Sequence, residues 1–252
     1  MGNFNLIDPK REFMVVEHNH LNNTSLDIEN AVNKTLSLQK IVGKRKIVCC
    51  LEGDLVQIGR KGEIVLTHRT HIPLLRIRYN QLKRRGIAAD FDEFLRKLNS
   101  YMKKSSKRVI LCLELKNITS KNTIKEVIRK LKEYRIKDVY FDSFIGKKLE
   151  IVEKNNQEQK TNYLKSFHLI MNLNDHKITF RVKKDYDILT VPKIFSFGRL
   201  SEPVIYGSVT TKEQLHELAK DKKVYGAYVR FSERNLLKLF WNSIWVKSRE
   251  YP

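Results

Sequence analysis

The chain has 252 residues, enough for one large domain or two small ones. A fold of that size buries roughly three quarters of its unfolded surface, so it needs no disulfide staples. With 41% hydrophobic and 31% charged residues it reads as a soluble globular protein, and no apolar run approaches the roughly 18 residues that would span a bilayer. The N-terminus, "MGNFNLIDPKREF", lacks the apolar core of a signal peptide, and Leu6 stands where a myristoylation signal wants Ser or Thr. The net charge of +21 favours anionic partners: phosphorylated substrates, an acidic membrane surface or nucleic acid. Its basic pairs (Lys103-Lys104, Lys107-Arg108, Lys147-Lys148, Lys183-Lys184, Lys222-Lys223) are spread along the chain, which makes nucleic acid the less favoured of the three. Cys49, Cys50 and Cys112 all sit inside apolar runs; an odd number with two adjacent suits buried thiols in a reducing, cytoplasmic setting better than a disulfide framework or a zinc site.

Taken in chain order, "EFMVVEH" (12–18) predicts a strand and "SLDIENAVNKTLSLQ" (25–39) a helix with Ser25 as its N-cap. Strands follow at "KIVCCLEGD" (46–54) and "EIVLTH" (63–68). "FDEFLRKLNSYMKK" (91–104) carries Phe91, Phe94, Leu95, Leu98 and Met102 on one helical stripe. Next come strand 108–115, helix 123–136 and strand 138–144. Residues 145–165 are polar and charged and read as a flexible or inserted segment. Beyond them the pattern gives strands near 166–172, 177–182, 188–197 and 203–209, helix 211–221, strand 224–231 and a last helix from 233 to about 247. Strand–helix alternation with near-continuous apolar strands such as "KIVCCL" and "RVILCL" predicts a parallel sheet covered on both faces. At about eight strands this is a single (β/α)8 barrel over residues 1–252, with an open doubly wound sheet as the alternative.

Barrels of this kind do their chemistry at the C-terminal ends of the strands, and that is where the acids fall. Residues i and i+2 of a strand share a face, so Glu52 with Asp54, and Glu114 with Lys116, point together. Two carboxylates about 6.6 Å apart repel by roughly 2.5 kcal/mol at an effective dielectric of 20. Either such groups stay hydrated beside Lys or Arg, or a cation sits among them. Three convergent carboxylates suit a hard divalent ion, Mg²⁺ or Ca²⁺, and Lys116 could hold a phosphate oxygen. His68 closes the run "GEIVLTH", and His18 and His20 follow the first strand; an imidazole is suited to proton transfer near neutral pH. His71, His168, His176 and His216 lack such company and read as surface or helix-face residues.

The succession His, Glu-x-Asp, His, Glu-x-Lys resembles the phospholipase-C-like phosphodiesterase superfamily of TIM barrels, whose best-known branch is the glycerophosphodiester phosphodiesterases. The resemblance implies a metal held by Glu52, Asp54 and Glu114, catalytic histidines at His68 and at His20 or His18, and a phosphate contact from Lys116 aided by Arg69. The segment "PVIYGSVTTKEQLHELAKDKKVYGAYVRFSERN" is similar to the last two strands of that superfamily and the helix between them. There are departures. The chain has "HNH" where the glycerophosphodiesterases have His-Arg-Gly, Glu29-Asn30-Ala31 in place of Glu-Asn-Thr, and Arg69 in place of Asp; it also lacks their long insertion near the metal. "HLNNTSLDIENAV" is closer to the H-x-x-N opening of the menorin and sphingomyelinase-D-like branches, a register that pairs His20 with Asn23.

The expectation is a metal-dependent phosphodiesterase acting on a glycerophosphodiester or lipid-derived phosphodiester, by hydrolysis or by a cyclising route. The alternative is a barrel without catalysis, serving as a basic binding module for RNA or acidic membranes. A third expectation concerns the last helix, whose stripe of Leu237, Phe240, Trp241, Ile244 and Trp245 either packs on the barrel or attaches the chain peripherally to a membrane.

Overall fold

The computed structural model describes residues 6–17, 27–58, 63–67, 84, 88–116, 118, 120–168, 186–192, 203–209 and 211–229. In chain order the strands are β1 (Glu12–Glu17), β2 (Lys46–Ile58), β3 (Glu63–Leu66), β4 (Ala89–Asp90), β5 (Val109–Leu115), β6 (Val139–Ser143), β7 (Leu164–His168), β8 (Ile188–Pro192), β9 (Val204–Val209) and β10 (Val224–Val229). The helices are α1 (Ile28–Leu36), α2 (Gln39–Val42), α3 (Phe91–Lys104), α4 (Lys121–Glu133), α5 (Gly146–Gln159) and α6 (Lys212–Lys220). Eight strands pair in parallel, in the order β1-β10-β9-β8-β7-β6-β5-β2, and β1 pairs again with β2 to close the ring. This is the (β/α)8 barrel that the alternation predicts, and it excludes the open sheet.

The strand alternation sorts side chains into two layers. Met14, Val48, Cys50, Ile110, Cys112, Tyr140 and Tyr228 fill the barrel interior. Leu51, Leu55, Leu111 and Leu113 face outward under Phe94, Leu95, Val127 and Ile128 of the helices. Helix α3 spans the predicted 91–104, capped by Asp90, whose carboxylate accepts from the Glu93 amide. Helix α1 is capped by Asp27, which accepts from Asn30 N–H, and so starts later than the predicted residue 25.

Two elements differ from the sequence reading. The run 63–68 is not a barrel strand: β2 extends past the barrel to Ile58, and β3 returns antiparallel on that overhang, with β4 beyond it. Apolar alternation signals a strand but not the direction of its partner. Residues 145–165 are not a loose segment either. They form α5 and the start of β7, and much of what α5 buries is polar, Lys148, Asn155 and Asn156 beside Leu149 and Val152. That mixture hides the apolar stripe a helix normally shows. The strand expected at 177–182 and the helix at 233–247 lie outside the described residues, as does Ser25.

At the barrel's N-terminal end one side chain ties strand and helix ends together. Arg45 is buried and fans its guanidinium to the carbonyls of Glu12 (2.8 Å), Ala219 (3.3 Å), Asp221 (3.0 Å) and Val224 (2.7 Å). It also lies over the Phe13 ring, 4.8 Å from its centroid. Beside it β1 and β10 approach so closely that a Cβ on Gly226 would stand 2.2 Å from the Met14 carbonyl oxygen, so only glycine fits.

All three cysteines are free and buried, and burial pushes the Cys49 thiol up to about 12 and those of Cys50 and Cys112 well above the usual range. The native protein is therefore expected to leave all three unreactive towards Ellman's reagent at pH 8, and to release three titratable thiols in guanidinium. A thiol that reacts promptly in the native state contradicts this packing.

Candidate active site

Above the apolar filling, the interior turns polar at the C-terminal mouth. The register aligns Asp54 of β2 with Glu114 of β5 and Asp142 of β6, and Glu52 sits one interior position below Asp54. Because the ladder sets neighbouring strands only about 4.8 Å apart, the alignment alone forces the acids together. One carboxylate oxygen from each of Glu52, Asp54 and Glu114 lies within 4.8 Å of the others, and all three residues are buried. The only cation within ion-pair reach of the cluster among the described residues is Lys116, whose Nζ stands 2.5 Å from Glu114 Oε1 and 3.9 Å from Asp54 Oδ1.

Burial, then the charge of Asp54, pushes the Glu114 carboxyl up to about 8 despite Lys116. Burial would lower the Lys116 pKa, but Asp54, Glu114 and Glu52 outweigh it and hold the ammonium above its ordinary value. The donor set is all carboxylate oxygen, buried and crowded. That is the chemistry a hard divalent cation satisfies, so the residues fit such an ion.

The described strand ends around the site are held by further contacts. Lys148 of α5 is buried and donates to the carbonyls of Leu115 (2.8 Å) and Lys116 (2.5 Å), which fixes the turn where the β5 strand ends. Lys34 of α1 donates to Glu17 at 2.5 Å at the end of β1. Thr67 is buried, and its amide donates to the Asp54 carbonyl at 3.0 Å, so β3 brings the chain back to the rim beside the acids.

Among the residues predicted from sequence, the structure brings together Glu52, Asp54, Glu114 and Lys116. His18, His20, Asn23, His68 and Arg69 lie outside the described residues; His18 follows Glu17 at the end of β1, and His68 follows Thr67. His216 is on a helix face as expected, its Nδ1 2.8 Å from the Ile41 carbonyl. His168 is a correction. It ends β7 at the mouth, with Nδ1 3.1 Å from Asp142 Oδ2 and its ring stacked on Phe144 at 4.1 Å between centroids. Asp142 is fully buried and also lies 3.5 Å from Thr190 Oγ1, which in turn is 2.8 Å from Ser166 Oγ. Phe144 also lies under the Lys116 ammonium, 5.7 Å from the ring centroid. Sequence reasoning passed over Asp142 and His168 because each stands alone in its strand. The available signal was that "VYFDSF" and "LKSFH" both finish strands on the mouth side.

No protein-family model matches the sequence, and no curated protein matches it. Among solved structures, the chain is similar to a glycerophosphodiester phosphodiesterase from Parabacteroides distasonis, with a TM-score of 0.53, 13% identity, 92% of this chain and 99% of that chain covered. It is also similar to a candidate glycerophosphoryl diester phosphodiesterase from Silicibacter pomeroyi, with a TM-score of 0.56, 14% identity and coverage of 89% and 91%. Both likenesses concern the fold: the chain is a TIM barrel whose structural neighbours include glycerophosphodiester phosphodiesterases. No helix among the described residues is long and apolar enough to cross a membrane.

Proposed function

We propose that this barrel is a metal-dependent phosphodiesterase acting on a small phosphodiester, a glycerophosphodiester or a lipid-derived one, in the cytoplasm. The observation that carries the reading is the convergence of Glu52, Asp54 and Glu114, with Lys116, at the mouth of the barrel. Glu52, Asp54 and Glu114 would hold Mg²⁺ or Ca²⁺, which when bound neutralises phosphate charge. Lys116, a half-buried point charge next to those acids, would hold a non-bridging phosphate oxygen, joined by Arg69 and Asn23. His20 (or His18) and His68 exchange protons with the attacking and leaving oxygens, one taking the proton from the attacking water or substrate hydroxyl and the other giving a proton to the departing alcohol. A new P–O bond forms as the old one breaks. Attack by a substrate hydroxyl gives a cyclic phosphate and attack by water gives the monoester, through the same proton transfers.

His168 joins this set as a further candidate for proton exchange or substrate binding. Its Nδ1 is taken up by Asp142, which fixes the ring plane against Phe144 and leaves Nε2 as the nitrogen able to exchange a proton or bind substrate. Buried free thiols suit a reducing compartment.

A phosphodiesterase screen with Mg²⁺, Ca²⁺ or EDTA tests the reading, comparing the parent with Glu52→Ala and His68→Ala. Activity should vanish in EDTA, and each substitution should lower kcat by about a thousandfold, the several kcal/mol expected for charge neutralisation or proton transfer. Turnover that survives chelation and both substitutions rejects the proposal.

A further inference from the structure

The end of the barrel opposite the mouth contains a cavity of 480 Å³, between the loops that lead into β6 and β7. That is the volume range of small-molecule sites. Its walls are mostly apolar, Leu6, Ile136, Val139, Tyr163 and Leu164, with the polar Thr161 and Asn162 beside them. Its rim is cationic, formed by Lys132, Arg135, Lys137 and Lys160. The one acid among the lining residues, Asp138, is already engaged by Arg108 at 2.7 Å. Lys132 donates to the Gln159 carbonyl, whereas no ion pair among the described residues involves Arg135, Lys137 or Lys160.

The backbone adds an independent observation. Arg135 (φ 57°) and Lys160 (φ 54°) are the only non-glycine residues with positive φ among the described residues, and both line this cavity. Each follows a helix at the left-handed position that glycine or asparagine normally takes, and an L side chain there costs about 1 kcal/mol. The helix dipole does not account for Arg135, because Lys130 and Lys132 already stand in the last turn of α4. The strained conformation holds cations at the entrance of an apolar chamber.

We propose that this cavity is a second ligand site, for a small phosphomonoester with an apolar body. The rim would take the phosphate through charge-assisted hydrogen bonds, and the walls would take the apolar part. The site is separate from the mouth and does not depend on the phosphodiesterase reading.

Octyl phosphate, below its micellar concentration and in EDTA, is the probe, with inorganic phosphate and octanol as controls; binding is followed by calorimetry on the full chain. The informative variant is Arg135→Gly combined with Lys160→Gly. Glycine is at ease at positive φ, so the double variant should melt at the parent's temperature or above it while losing both cations. Octyl phosphate should bind the parent about tenfold or more tightly than either control, and the double variant should lose about tenfold or more in affinity. Vesicles of phosphatidic acid in phosphatidylcholine separate the two sources of such a ligand. Retention lost in the double variant assigns it to a membrane lipid, whereas binding of octyl phosphate without retention assigns it to a soluble phosphomonoester. No binding by the parent, equal binding of octanol, or unchanged affinity in a folded double variant overturns the proposal.

Discussion

Glu114→Gln is expected to abolish metal-dependent turnover and, in the absence of metal, to make the protein more stable at alkaline pH. The glutamine keeps the shape of the protonated acid but cannot ligate as an anion, so turnover should fall by about a thousandfold or more. The stability effect follows from the folded-state value of about 8 against the ordinary 4.5. Between those values the folded chain holds a proton that the unfolded chain has released, so stability falls as pH rises through this window and levels off above it. By pH 9 the accumulated loss is of order a few kcal/mol. Chemical denaturation in EDTA should therefore give matched curves for parent and variant near pH 5 and a growing advantage for the variant towards pH 9. Added divalent ion should reverse that order, raising the melting temperature of the parent most at alkaline pH and leaving the variant unmoved. A parent whose metal-free stability is flat from pH 5 to 9 contradicts the electrostatics of the cluster.

Arg45→Met is expected to be the most damaging single change at the other end of the barrel. The methionine keeps much of the apolar stem but strips donors from four carbonyls on β1, the end of α6 and the entry to β10. A buried carbonyl left without a donor costs about 1–3 kcal/mol, so a loss of roughly 3–5 kcal/mol is expected, with the melting temperature down by about 10 °C. Arg45→Lys should recover little, because an ammonium cannot reproduce a planar fork that reaches several acceptors at once. Thermal melts of the two variants check this. A methionine variant within about 1 kcal/mol of the parent would mean that backbone pairing alone closes the ring.

Particular residues show how far the sequence could be read. The Phe91–Met102 stripe gave α3 to its ends because helix period, acidic cap and burial all agree there. The i, i+2 spacing of Glu52–Asp54 and Glu114–Lys116 at the ends of apolar strands placed four side chains in one site, since parity within a strand is local information. What the sequence hid depends on partners distant in the chain. The antiparallel return of β3 rests on the overhang of β2, and the packing of α5 on polar side chains that find partners only after folding. His168 and Asp142 meet across two strands 26 residues apart, and neither carries a local sign of the other. Single basic residues outside those pairs also gather: the turns preceding β6 and β7 bring Arg135, Lys137 and Lys160 to one rim.

In the proposed site the three carboxylates at the mouth share one cation. Mn²⁺ substitutes for other hard divalent ions and scatters anomalously, so crystals grown with it report the position of the ion directly. One strong anomalous peak is expected within coordination distance of Glu52, Asp54 and Glu114, absent from crystals of Glu114→Gln. A parent crystal saturated with Mn²⁺ that shows no peak there, with Lys116 still closed on Glu114, would contradict it.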